Sequence, residues 1–193
     1  MGRLCIFGLL CAMWVVSGCQ KGNQASPQPT GAVDVIVEGG GAFPASLAGR
    51  WKGQKNWEIV LEPDGTVSSA QHGIGGVLVR PKHLSTVTDP ERSTHNTYKA
   101  GRWLVHYLPD ARELRVEIVL DEVHLEWGGV VLDGKVKDVF VGKVSEDGST
   151  WRTEWFSFAE YTTPEHQDTV LAPTEDEIFA DAIIFEKVAG RQQ

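Results

Sequence analysis

The chain has 193 residues, with 26 acidic against 18 basic side chains and a formal net charge of −8. That balance, with no basic run, argues against nucleic acid and anionic lipid headgroups as main partners. About 140 residues remain beyond the N-terminal fifty, enough for one domain with a real core.

In chain order, the first element is an apolar run from Leu4 to Val16, preceded by the basic Arg3. Its length and flanks predict a secretory signal rather than a transmembrane helix. All three cysteines, Cys5, Cys11 and Cys19, lie in or at the edge of that signal. Cleavage would leave Cys19 alone, so no disulfide is expected in the mature chain. It would also remove Arg3 and no acid, moving the net charge from −8 to −9.

The stretch Val16-Ser17-Gly18-Cys19 is more specific. It resembles the lipobox of bacterial lipoproteins, in which the signal is cut before the cysteine. The thiol there receives diacylglycerol and the new amine is usually acylated. The resemblance implies a signal peptide over 1–18, lipidation at Cys19 and a membrane partner reached through that anchor. Gln20 resembles the residue found in lipoproteins forwarded to the outer membrane. The expected location is therefore the cell envelope, on the periplasmic or outer-membrane side of a two-membrane bacterium.

Gln, Pro, Ser and Gly dominate residues 19–46, which read as a flexible linker. Within it, Val33–Val37 is left open as an extra edge strand. A domain is expected over 47–188, followed by a tail at 189–193. Short alternating runs separated by turn signals predict an all-β fold, an antiparallel meander of eight or nine strands closing as a small barrel. Ser85–Asn96 reads as a long surface loop. In Glu113–Trp127, Leu114, Val116, Ile118 and Leu120 share one parity and Val123, Leu125 and Trp127 the other. A continuous strand would split these sets between faces, so a hairpin at Asp121-Glu122 is favoured over a bulged strand. A second hairpin is expected at Asp133-Gly134. Thr174 with Glu177 resembles a capping box, predicting a short helical turn near Thr174–Phe179 before a last strand at about Asp181–Val188.

The tetrapeptide Ala-Gly-Arg-Trp occurs twice, ending at Trp51 and Trp103. The spacing to the following Glu-Ile-Val-Leu differs between the copies, so this is no tandem repeat. Gly49-x-Trp51 and Gly101-x-Trp103 are read instead as two strand starts, with the glycine allowing a bend and the indole covering one end of the core. At the first copy the pattern resembles the opening of lipocalin-like (calycin) barrels, where the Trp closes the barrel floor. In that family a C-terminal arginine packs over the Trp, and Arg191 is the nearest candidate here.

Trp151, Thr153 and Trp155 share a face, part aromatic and part hydroxyl, suited either to an apolar ligand or to filling a core. His106 shares parity with Leu104 and Leu108, which allows it an inward place as a core or rim histidine. Glu122, His124 and Glu126 alternate on one strand face, which cannot converge on a tetrahedral ion, so no metal site is assigned. No nucleophile motif or phosphate-cradling loop is present, and no cofactor is called for. The sequence thus points to a non-enzymatic envelope lipoprotein. Either it binds a small apolar or amphipathic ligand in its barrel through Trp151, Thr153, Trp155 and His106, or it is a structural or protein-interaction module with a filled barrel.

Overall fold

The computed structural model describes residues 31–71, 76–89, 91, 94–163 and 179–189. The described chain is nearly all β. Its strands are β1 (Val33–Val37), β2 (Gly49–Gly53), β3 (Glu58–Leu61), β4 (Val67–Gln71), β5 (Leu78–Val79) and β6 (Leu84–Asp89). There follow β7 (Thr94–Ala100), β8 (Trp103–Leu108), β9 (Glu113–Trp127), β10 (Val130–Val144), β11 (Thr150–Thr162) and β12 (Phe179–Lys187). One 3-10 turn, Ala45–Leu47, precedes β2.

The strands form one curled sheet in the order β1-β8-β9-β10-β11-β12-β2-β3-β4-β5, with β6 and β7 extending from β9. The sheet is a half-barrel, and it is mixed rather than purely antiparallel because β1 pairs with β8 in parallel. Twelve described strands replace the eight or nine expected. Part of the stretch read as linker also belongs to the fold: β1 pairs within the sheet, and Phe43 is buried. Five alternating residues rich in valine suffice for a strand once β8 offers an edge.

The parity break in Glu113–Trp127 is real, but the device that absorbs it is a bulge. Strand β9 runs unbroken, pairing β8 through Glu113–Glu117 and β7 through Leu120–Trp127. Its register slips by one residue between Leu120 and Val123 against β10, and between Leu120 and Glu122 against β7. The extra residue returns Val123 to the face of Leu120, and both are buried. Gly101 sits opposite this bulge, where a Cβ would run into the Asp121 carboxylate. Asp-Glu therefore makes no turn here.

The expected hairpin at Asp133-Gly134 is likewise displaced. Both residues lie within β10, and the turn falls at Gly128-Gly129, with φ of 55° and 85°. Two consecutive positive-φ positions make the two-residue hairpin that twisted strands favour. Most of the expected loop Ser85–Asn96 consists of paired strands β6 and β7, because its threonines and Val87 alternate as an edge strand requires. The last strand begins at Phe179. Of the helical turn expected near Thr174–Phe179, Phe179 belongs to β12 and the rest lies outside the described residues, as do Arg191 and Cys19.

The core occupies the concave face. Trp51, Trp57, Trp103, Trp151, Phe140, Phe185, Ile59, Leu61, Leu114, Ile118, Leu120 and Ile183 are all under 2% exposed. Strand β2 starts at Gly49 and β8 at Trp103. Gly49 holds φ of 133°, and the Trp51 indole donates to Leu47 O at 2.9 Å. Trp103 donates to Val119 O at 3.0 Å. Lys187 lies across Gly49 and donates to Ser46 O at 2.6 Å, placing a cation over that end of the core.

Candidate functional site

Alternation gives β10 and β11 two dissimilar faces. Val136, Asp138, Phe140 and Val144 of β10 point inward, as do Trp151, Thr153 and Trp155 of β11. Trp151 stacks on Phe185 at 5.0 Å and meets Trp51 edge-on at 6.3 Å. Trp155 stacks on Phe140 at 6.2 Å and donates to the fully buried Asp138 at 2.8 Å. Thr153 donates to Ile183 O at 2.9 Å. The three inner residues singled out from sequence are thus mutually packed and hydrogen-bonded, with Trp151 at 0%, Trp155 at 4% and Thr153 at 5% exposure. His106 is not with them. Trp103, Val105 and Tyr107 take the inward places on β8, and His106 Nε2 meets Glu38 Oε1 at 2.9 Å on the outer side. On the outer side of β9, Lys99 pairs with Glu122 and His124 with Asp133, so these side chains are engaged in pairs.

The outer face of the same strands carries the feature that sequence reading missed. The strand register lays out three rows: Arg115, Val141, Glu154 and Ala182; Glu117, Val139, Phe156 and Ala180; Val119, Lys137 and Phe158. Val139 is only 4% exposed although it points away from the core, and Phe158 is 38% exposed. A trough of about 600 Å³ opens here, lined by Arg115, Lys137, Val139, Val141, Phe156, Phe158 and Ala180. Aliphatic and aromatic groups make its floor, and the short Ala180 leaves room beside the phenylalanine rings.

One end of the trough is ionic. Glu117 accepts from Arg115 Nε and Nη2 at 2.8 and 2.6 Å, and Lys137 Nζ lies 2.6 Å from its other oxygen. Burial pushes the Glu117 carboxyl upward, but hydrogen bonds and charge from Lys137 and Arg115 outweigh this and hold it below its ordinary value. Arg115 carries five N–H donors and Lys137 three, so both keep donors beyond those given to Glu117. Exposed Glu154 borders the same face, which makes the site amphipathic rather than simply cationic. Chemically it offers an apolar floor and fixed donors at one margin. It presents no nucleophile paired with a base, and among the described residues no cluster of three metal-ligating side chains occurs.

A second, smaller recess of about 300 Å³ lies between β1 and β4, lined by Val33, Thr66, Val67, Ser68, Arg80 and His83 among others. It marks the gap where the curled sheet stops short of pairing its ends. Among the described residues, no helix is long and apolar enough to cross a membrane. No protein-family model, characterised protein or solved structure matches the chain.

Proposed function

We propose that this chain is a lipid-anchored envelope lipoprotein that acts by binding, and that its contact surface is the outer trough on β9–β12. The observation that carries this reading is the contrast between the two faces of β10 and β11. The inner face is closed by Trp151, Trp155, Phe140 and Phe185, all at 4% exposure or less. The outer face keeps an apolar recess of about 600 Å³, within the size range of small-molecule sites. A ligand with an apolar body and a hydrogen-bond-accepting end fits the Val139, Val141, Phe156 and Phe158 floor and the Arg115 and Lys137 margin. The structural or protein-interaction alternative uses the same face, since a filled half-barrel has its remaining apolar surface outside.

Anchoring rests on the lipobox resemblance at Val16–Cys19. Replacing Cys19 with Ala should leave the uncleaved precursor and prevent acylation; normal lipid labelling of that variant would overturn the anchor. The binding role is tested by native mass spectrometry of the full chain, extracted gently from its host's envelope. A reproducible added mass released by organic solvent is expected. A bare acylated mass, unchanged after incubation with host lipid extract, would remove the small-ligand reading.

A further inference from the structure

We infer that the recess between β1 and β4 is a binding site for a phosphoryl group, held by Arg80, His83 and Ser68. The inference stands apart from the outer trough and from the lipid anchor. The recess opens where two neighbouring strands splay. Strand β5 pairs with β4 only through Val79 with Ala70 and Leu78 with Gln71. Continuing that register would set Arg80 opposite Ser69 and Pro81 opposite Ser68. Proline has no N–H to give a ladder. Ser68 is itself the extra residue of a bulge, since Val67 pairs with Leu61 and Ser69 with Val60. The two segments part there and leave a space of about 300 Å³, with Thr66 and Ser68 on one wall and Arg80, Pro81 and His83 on another.

The second wall is a turn. His83 N donates to Arg80 O at 3.1 Å, with Pro81 at the second position and Lys82 at the third, where φ is 57°. Such a turn keeps the Cα atoms of its two ends within about 7 Å, so Arg80 and His83 stand side by side. The second Ala-Gly-Arg-Trp tetrapeptide clamps the walls together. Ala100 N donates to His83 O at 2.9 Å and Lys82 N to Gly101 O at 3.3 Å, which fixes the turn. Trp103 N donates to Ala32 O at 3.1 Å, which sets Ala32 and Val33 as the third wall.

The lining has the chemistry of an oxyanion site. It contains no acid. The acids closest to it in sequence are held by other donors: Asp34 by Arg102 at 2.8 Å, and Asp64 by the Thr66 N–H and hydroxyl at 2.9 and 2.7 Å. Most described arginines and lysines are ion-paired. Among the described residues, Arg80, Lys82 and His83 form no ion pair and the Ser68 hydroxyl makes no hydrogen bond. Arg80 offers five N–H donors in a planar fork, His83 at least one and Ser68 one. Donors converging from two walls suit a tetrahedral phosphoryl group better than a flat carboxylate. Ala32, Val33 and Pro81 leave apolar room for the body that carries it, and the volume sits at the lower end of small-molecule sites.

The test is calorimetric titration of the full-length chain in nonionic detergent at fixed ionic strength. Two probes are used, inorganic phosphate and micelles of the same detergent doped with phosphatidic acid. At least one should bind saturably, and Arg80→Gln should weaken that binding by about tenfold or more, the loss of a charge-assisted hydrogen bond. Binding of inorganic phosphate identifies a soluble source, and binding of phosphatidic acid alone identifies a lipid headgroup. Ser68→Asp, which sets a carboxylate against the anion while both cations remain, should abolish binding. Arg152→Gln removes the same charge from an exposed position outside the recess and should bind as the parent does. Failure of both probes to bind, parent-like binding by Arg80→Gln, or equal weakening by Arg152→Gln would overturn the site. Arg80 and Ser68 are exposed, so both variants should keep the parent's near-UV circular dichroism.

Discussion

Trp155 and Phe156 are neighbours in the chain, yet they belong to two surfaces with different work. On the inner face, Trp155 is stacked, hydrogen-bonded and 4% exposed. On the outer face, Phe156 and Phe158 line a recess beside an ion cluster. Aromatic content alone does not mark a binding site. What separates the two surfaces is whether the ring has already found partners within the fold, and that depends on which side of a curled sheet the alternation places it.

The largest effect expected from breaking this contrast is on the inner side. Trp51→Ala should cost about 3–5 kcal/mol in equilibrium denaturation, because a fully buried indole leaves a void the neighbouring rings cannot fill. A loss below about 1 kcal/mol would mean that this end of the core is not sealed. Trp155→Phe keeps the stacked ring but removes the donor to Asp138. Removing one partner of a buried hydrogen bond supports a cost of about 1–3 kcal/mol, and a change under about 0.5 kcal/mol would show that the bond contributes little.

The ionic margin sharpens the comparison through pH. Glu117 has its folded value held below the ordinary carboxyl value of 4.5. Its stabilisation is therefore present above 4.5 and is lost as pH falls through the lower folded value. Glu117→Gln should flatten this acid limb of stability, measured by thermal melts across that range. An unchanged limb would mean that the Arg115–Glu117–Lys137 cluster does not stabilise the sheet. The smallest stability effect belongs to Phe158→Asp. It sits on the partly exposed outer face and should cost less than about 1 kcal/mol, because it opens no cavity in the core.

The sequence revealed the strand class and most of the inner face, because alternation over Leu114–Leu120 and Trp151–Trp155 is a local signal. It also exposed the parity break at Leu120–Val123. A bulge and a hairpin satisfy that break equally well, and only pairing with β7 and β10 decides between them. Gly128-Gly129 competed with Asp133-Gly134 for the turn, and the choice was settled by the register of two 15-residue strands, a non-local matter. Strand β6 was hidden because threonine-rich edges look like loops in composition. Parity with Leu104 and Leu108 does not bring His106 inward, because Trp103 sets the buried parity of β8.

The trough was partly legible. The polar parity of β10 and β11 contains Val139, Val141, Phe156 and Phe158, four apolar residues where a solvated face needs none. What could not be read was their convergence, which depends on the cross-strand register placing Val139 beside Phe156 and Lys137 beside Phe158.

The most direct test of the two-face account is a titration of the full chain with anilinonaphthalene sulfonate, an anionic apolar dye, followed by fluorescence. Phe158→Asp and Trp155→Phe are compared with the parent after near-UV circular dichroism has confirmed native packing. The account predicts that Phe158→Asp weakens dye binding by about tenfold or more, through roughly 1.4 kcal/mol or more of lost contact, while Trp155→Phe binds as the parent does. Parent-like binding by Phe158→Asp, with loss in Trp155→Phe, would place the ligand inside the half-barrel and contradict the account.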